Sequence, residues 1–279
     1  MNTARMVLQS LWRRRASRVC LLILLLYVGV ALVGYAGGLP DIDASVGGSQ
    51  EPPSWAWAKL LGTDVLSRSV WHRVLAGTQT AVTIGFATTA IAIPLGTALG
   101  LAAGWFGGWV DAAIMWLYSV VVSIPEILLV TAISYTLGKG LFSMCVAIAA
   151  TSWVGIMRLV RGEVLKHRGK EYVLAARSLG AGSGRIMFRE ILPNVMHVAI
   201  VTASLVLLGA VKFEVILTYL GLGIQDGASW GLLIAGASQD LTNDIWWPLA
   251  GTVTAMFLLI YALSVIGDAL RDALDPKVG

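Results

Sequence analysis

Three charged side chains stand inside otherwise apolar runs: Glu126, Lys212 and Glu214. A charge near the centre of a bilayer costs on the order of 3 kcal/mol even on the milder scales, so such groups face protein or a wet cavity. They are the groups with which this chain could hold or pass a polar solute. One arrangement pairs Glu126 with Lys212 across a pathway; the other packs these groups at a seam between subunits or lets them snorkel. Lys212 and Glu214 are two apart on a helix and point to different faces. Glu126 follows Pro125, which frees backbone groups beside it. Other chemistry is sparse. There is no G-x-x-x-x-G-K-[ST] loop, and Gly180, Gly182, Gly184 and Arg185 resemble a phosphate cradle only superficially, without a preceding strand or the Lys-Ser/Thr. His72, His167 and His197 lie far apart with no metal-ligand spacing, and no G-x-S-x-G elbow occurs. Cys20 and Cys145 sit in apolar runs without a C-x-x-C partner and read as buried, inert thiols. Uphill transport by such a chain needs ATP hydrolysed by another polypeptide.

The elements that must position these charges are membrane spans. The chain has 279 residues, of which 57% are hydrophobic and 13% charged. That is about half the charge of a soluble domain, so an all-α integral membrane protein is expected. The eleven Trp suit interfacial belts. Residues 1–36 combine a basic start (Arg5, Arg13, Arg14, Arg15, Arg18) with an apolar run over 19–36. This run exceeds a signal h-region and nears the ~20 residues of a crossing, so it reads as an uncleaved signal-anchor helix; a cut after Ala36 would overturn that. Residues 37–77 form an outside segment, Gly/Pro-rich to about residue 54, then carrying Trp55, Trp57, Leu60 and Leu61 as an interfacial helical piece. Spans at 78–104, 111–137, 141–160, 195–221 and 248–268 bring the total to six. Pro94 and Pro125 fall inside spans, where bundle neighbours satisfy the freed carbonyls. Gly96, Gly100 and Gly104 make a small-xxx-small packing row.

Orientation follows from Lys and Arg. With both termini inside, fifteen basic residues lie in inside segments and four (Lys59, Arg68, Arg73, Lys139) outside. The cytoplasm then holds the N-terminus, a loop at 161–194 and the tail at 269–279, while 222–247, with three Asp and no Lys or Arg, is an extracytoplasmic loop. The core domain is 78–268. Its inside loop is the longest charged stretch, Lys166 to Pro193. The spacing predicts a short helix in which Tyr172, Ala175, Ala176 and Leu179 share a small apolar face. A turn at Gly180, Gly182 and Gly184 follows, where positive φ costs little, and then a second helical run ending at Leu192-Pro193.

At these residues the sequence resembles a family. Glu171-Tyr172-Val173-Leu174-Ala175-Ala176, Gly180, Ile191-Leu192-Pro193 and Asn194 are similar to the EAA loop of the membrane subunits of bacterial ABC importers. With Arg177, Leu179-Gly180-Ala181, Arg185-Ile186 and Phe188-Arg189 the string is similar to the branch that imports di- and oligopeptides, and nickel in some members. Glu214 with Leu217-Thr218-Tyr219-Leu220-Gly221-Leu222-Gly223 resembles the family's E-x-x-L-S-F-L-G-L-G. The end, Gly267 to Pro276, resembles the family's C-terminus and reads as a short amphipathic helix after the last span, stopped by Pro276. Leu61-Gly62-Thr63-Asp64 with Arg73-Val74-Leu75 and Gly77 resembles its entry to the second helix. There are departures. The motif glutamate falls where Leu174 stands, with Glu171 three residues earlier. Ser67-Arg68-Ser69 stands for the usual Gly-Arg-Asp, and Glu126 and Lys212 replace small or apolar residues.

The resemblance implies a type I ABC importer permease fold of six transmembrane helices, the shorter C-type subunit of the peptide/nickel class. It implies a cytoplasmic coupling helix in the 166–190 loop, with Glu171, Tyr172, Ala175, Ala176, Arg177, Leu179, Gly180, Arg185, Leu192 and Pro193 coupling to an ATPase. Pro125, Glu126, Lys212 and Glu214 are the candidates for the pathway. The implied partners are a homologous permease subunit, two ABC ATPases, an extracytoplasmic binding protein and the bilayer, with no nucleic acid. The chain itself would be no enzyme and bind no cofactor; ATP and Mg belong to the ATPases. Peptides are the expected cargo, nickel or another small solute the alternative, and a non-transport scaffold or sensor and a membrane-embedded enzyme the rival classes.

Overall fold

Among the described residues, Gly and Pro divide the apolar sequence into nine α-helices of eight residues or more. The computed structural model describes residues 12, 14–138, 140–225 and 227–274. Arg5, Arg13, Lys139, Asp226 and the Pro276 stop lie outside these residues. The helices are α1 (Arg15–Tyr35), α2 (Val70–Phe106), α3 (Gly108–Val122), α4 (Glu126–Thr136), α5 (Leu141–Arg168), α6 (Glu171–Ser178), α7 (Leu192–Tyr219), α8 (Trp230–Asp240) and α9 (Trp247–Leu274). The described residues hold five helices long and apolar enough to cross a membrane, and six crossings if the bent pair α3/α4 counts as one.

That pair corrects the expectation of a continuous span at 111–137. The helices meet at 92° across Ser123-Ile124-Pro125. Proline cannot donate to the preceding turn and pushes Ile124 away from helical geometry, so Pro125 becomes the N-cap of α4 rather than an interior residue. The carbonyls left open at the end of α3 are met locally: the Ser123 hydroxyl lies within donating distance of the Ser119 (2.5 Å) and Val120 (3.0 Å) carbonyls. By contrast, α2 runs through Pro94 unbroken.

The spine is α2 packed along α5. A Cβ at Gly96 would lie 2.7 Å from the Trp153 carbonyl oxygen, one at Gly100 2.7 Å from that of Met157, and one at Gly104 2.7 Å from the Val164 Cβ. The small-residue row is therefore where the two backbones touch. At 1.5 Å per residue the 37-residue α2 is about 55 Å long, well beyond a hydrocarbon core of about 30 Å. It starts at Val70, not 78, because its polar first turn is satisfied. Ser69 caps it, its hydroxyl accepting from His72 N–H at 3.1 Å, and Arg73 donates to Asp64 at 2.8 Å.

The elbow before α2 contains only a 3₁₀ turn, Trp57–Lys59, in place of an interfacial helix. Asp64 organises it, accepting from the Leu66 and Arg68 amides and pairing with the Arg68 and Arg73 guanidinium groups. Burial pushes its carboxyl up, but those donors outweigh this and hold it below the usual carboxylate range. Ser67, standing where the family usually has glycine, takes φ +62°. A non-glycine residue there costs on the order of 1–2 kcal/mol, partly offset by the freer unfolded chain of a glycine variant. Ser67→Gly is therefore expected to stabilise the protein by up to about 1 kcal/mol, read as a higher Tm in detergent; a lowered Tm would show that the serine is held by more than its backbone.

Residues 222–247 are more than a loop. They contain α8, whose Trp230 is fully buried, lies against Gly77 and donates to the Val74 carbonyl at 3.1 Å. Trp105 and Trp153 are buried as well, so these three tryptophans belong to the bundle rather than to a belt. The terminal segment from Gly267 is no separate helix either: α9 continues unbroken to Leu274, and Arg14 pairs with Asp272 at 3.1 Å.

Candidate functional site

Two regions carry the predicted site residues other than Lys212 and Glu214, and α5 connects them. The first is a cleft of about 590 Å³ between the α3/α4 bend, α5 and α7. The bend turns Glu126 into this cleft, where the Thr151 hydroxyl lies 3.4 Å from its carboxylate. Arg158 lines the same cleft, its guanidinium 6.0 Å from the Tyr118 ring centroid and donating to that residue's hydroxyl at 3.1 Å. Gly155 and Gly209 lie on the walls, and a Cβ built on either meets nothing within 4 Å. Pro125 lines the cleft too.

Lys212 and Glu214 are not among the lining residues. Lys212 is exposed, and among the described residues no ion pair joins it to Glu126; it is the adjacent Phe213 that faces the cleft. Glu214 is fully buried. It accepts from the Thr218 hydroxyl at 3.2 Å, and that hydroxyl oxygen in turn accepts from the Ile224 N–H at 3.3 Å. Gly231 lies against Thr218, so this network fastens the α7–α8 turn and leaves Glu214 away from the cleft. Arg158 ends the expected 141–160 span and counts in the sequence only as one of the fifteen inside basic residues, so the charge pattern does not single it out as a site residue. The signal was present: Thr151, Gly155 and Arg158 follow the four- and three-residue steps of one helix face.

The second region is the far end of the α2/α5 spine. Two glycines in succession, Gly107 (φ +66°) and Gly108 (φ +53°), turn the chain from α2 into α3. The Arg161 guanidinium then locks α3 to α5, donating to both Asp111 oxygens at 2.6 and 2.7 Å. α6 hangs beneath. Val173 is fully buried in a cluster with Leu101, Trp105, Val160, Val164 and Ile186. His167 and Tyr172 share a hydrogen bond of 2.6 Å, and Arg177 lies 5.2 Å from the Trp105 ring centroid. The packed face is thus rotated toward Val173. Tyr172 and Ala176 are half-buried, but Ala175 and Leu179 point outward with Glu171 and Leu174. Glu171 and Leu174, three apart, share that outward face. Arg185 is exposed.

α6 ends in a Schellman motif: Ala181 N–H bonds the Ala176 carbonyl at 3.1 Å and Gly180 N–H that of Arg177 at 3.0 Å, with Gly180 at φ +78°. Gly182 and Gly184 keep negative φ, so one glycine makes the turn. The following run does not stop at Leu192-Pro193. It passes through a π-helical turn, Ile186–Ile191, straight into α7. Pro193 lacks an N–H, and the wider turn absorbs the mismatch: Leu192 N–H bonds Met187, and the Asn194 side chain caps the Glu190 carbonyl at 2.6 Å.

Residues 96–279 match the family described as "Binding-protein-dependent transport system inner membrane component". This chain belongs to that family. The dipeptide transport system permease protein DppC of Bacillus subtilis is 35% identical to it, over 97% of this chain and 86% of that one. The oligopeptide transport system permease protein OppC of the same organism is 36% identical over 82% and 75%, and the di/tripeptide transport system permease protein DppC of Pseudomonas aeruginosa 37% over 81% and 76%. A chain of the MetNI methionine ABC transporter in an inward-facing form superposes with TM-score 0.53 over 71% of this chain and 95% of that one, at 19% identity. That likeness concerns the fold alone. The protein is thus a multi-pass permease subunit of a binding-protein-dependent importer, with the type I ABC importer fold.

Proposed function

We propose that this permease carries di- or oligopeptides across a bacterial cytoplasmic membrane, with both termini and α6 on the cytoplasmic side. The observation that carries the cargo is the 35–37% identity to three peptide permeases. Two ATPases bind ATP and Mg, a homologous permease closes the open side of the cleft, and an extracytoplasmic binding protein delivers the peptide; this chain itself catalyses nothing. α6 is the coupling helix. Its outward surface joins Leu174, Leu179 and Phe188, which are 48%, 88% and 61% exposed, to Lys170, Arg185 and Arg189. An apolar patch with a basic rim suits a protein partner. Val173, the Tyr172–His167 bond and Arg177 on Trp105 tie the helix to the spine. A push from the ATPases reaches α5, which lines the cleft, and the spans rock between inward- and outward-open states.

The test is purification of the tagged chain from its native host, followed by mass analysis of bound subunits, alongside uptake of radiolabelled trialanine with and without the gene. Two ATPases and a second permease should copurify, and deletion should remove gene-dependent uptake. A chain that brings down no ATPase, or a deletion strain with unchanged peptide uptake, would overturn the reading.

A further inference from the structure

The cleft holds one anion and one cation that do not neutralise each other. Among the described residues Glu126 has only the Thr151 hydroxyl and Arg158 only Tyr118; neither enters an ion pair. The remaining lining is largely apolar, with Val121, Leu129, Val154, Leu205 and Phe213. Both side chains are exposed at the cleft, so their remaining hydrogen-bonding capacity is open to a ligand with its own separated charges. The geometry gives the separation. Thr151, at the level of Glu126, and Arg158 are seven residues apart on α5, which places them on one face about 10 Å apart along the axis. An extended chain covers at most about 3.3–3.6 Å per residue, so about three residues span that gap. Gly155 lies between them with nothing within 4 Å of a Cβ, leaving the wall clear where a backbone would lie.

We propose that the cleft is a transit subsite for a zwitterionic short peptide, with Glu126 receiving its α-ammonium and Arg158 its α-carboxylate. The subsite rests on the peptide-import reading and adds to it a recognition step within the permease, separate from that of the binding protein. The peptide enters amine toward the α3/α4 bend and carboxylate toward the α6 end. Side chains of the cargo project toward the apolar walls and the open side, so the termini are read and the sequence is not.

The experiment uses the purified complex with its copurifying subunits in nanodiscs without the binding protein, and measures binding of tritiated trialanine, N-acetyl-trialanine and trialanine amide. Charge-assisted hydrogen bonds of this kind are worth about tenfold or more in affinity each. Glu126→Gln and Arg158→Gln are each expected to weaken trialanine binding by about that factor, and Arg158→Lys to restore most of the loss. Acetylation should weaken binding to wild type but make no further difference in Glu126→Gln; amidation should behave likewise toward Arg158→Gln. Such matched loss is the mark of two groups that touch. Variants that bind trialanine as wild type does, or caps whose cost is the same in every variant, would overturn the subsite. Uptake by wild-type proteoliposomes supplied with the binding protein separates the two readings. If trialanine is taken up and the variants bind normally, only the subsite falls; if wild type takes up no peptide, the import reading falls and the subsite with it.

Discussion

Replacing Gly180 with valine is expected to reduce peptide uptake to background while the chain still inserts and assembles with its partner permease. The effect comes from the backbone, not from crowding, since a Cβ at Gly180 meets nothing within 4 Å. What valine meets is φ +78°, where an ordinary side chain costs about 1–2 kcal/mol and a β-branched one more. The cheapest relief is to abandon the Schellman turn. That frees the Ala176 and Arg177 carbonyls and changes the direction in which Ser183 onward leaves α6. α6 would then present Leu174 and Leu179 to the ATPase at a new angle, while the apolar mass of α7 still inserts. A series separates this from general damage: asparagine, which tolerates left-handed φ, should retain most uptake, alanine part of it and valine none. ATP hydrolysis by the purified complex should persist in the valine variant without stimulation by loaded binding protein. Normal uptake by Gly180→Val would remove the coupling role assigned to this turn.

Much of this architecture is legible in the sequence because lipid imposes simple demands. A run of about 20 apolar residues must be a helix, which is why α1, α2, α5, α7 and α9 fall where hydropathy puts them. The glycine row is legible because only missing side chains let α2 and α5 approach so closely. Gly180 is legible because a helix followed by glycine has few ways to end. The rest depends on tertiary partners. The early start of α2 needs Asp64 to receive Arg73, nine residues away, and α8 is held by Trp230 reaching α2, 156 residues away. At eleven residues it is too short to signal a span. The packed face of α6 is set by Val173 because the hydrophobic pocket lies on that side, and no periodicity within an eight-residue helix reports this. Most consequential is the charge reading. Glu126, Lys212 and Glu214 look alike as intramembrane charges, but only Glu126 faces the cleft; its counterpart there is Arg158, one helix away.

Gly100→Val carries the largest expected cost in stability. The added Cβ would lie 2.7 Å from the Met157 carbonyl oxygen and 2.8 Å from the Val160 Cβ. Neither contact can be relieved by swinging a flexible side-chain end, so the two helices must separate. Gly96 and Gly104, one turn to either side, lie equally close to α5, and parting at the middle of the row disturbs all three contacts. Overpacking of this kind costs about 1–3 kcal/mol and occasionally more. In lipid, where helix association depends on close contact rather than on escape from water, little offsets it. A fall in Tm of several degrees, up to roughly 10 °C, follows from the scale of a few degrees per kcal/mol. Gly162→Ala is the control: it lies on the same α5, its Cβ meets nothing within 4 Å, and alanine favours the helix by up to about 1 kcal/mol, so its Tm should hold or rise. The seam also has a mechanical role. Trp105, near the end of α2, holds Arg177 of α6, while α5 bears Thr151 and Arg158 in the cleft, so the contact between α2 and α5 fixes α6, the proposed coupling helix, relative to the cleft. Below its lowered Tm the valine variant should therefore still bind its ATPases but convert less of their hydrolysis into uptake, whereas a variant that merely unfolds more easily would keep the wild-type ratio of peptide moved to ATP consumed. Equal Tm and equal ratio in Gly100→Val and wild type would mean that the spine is looser than its glycines indicate.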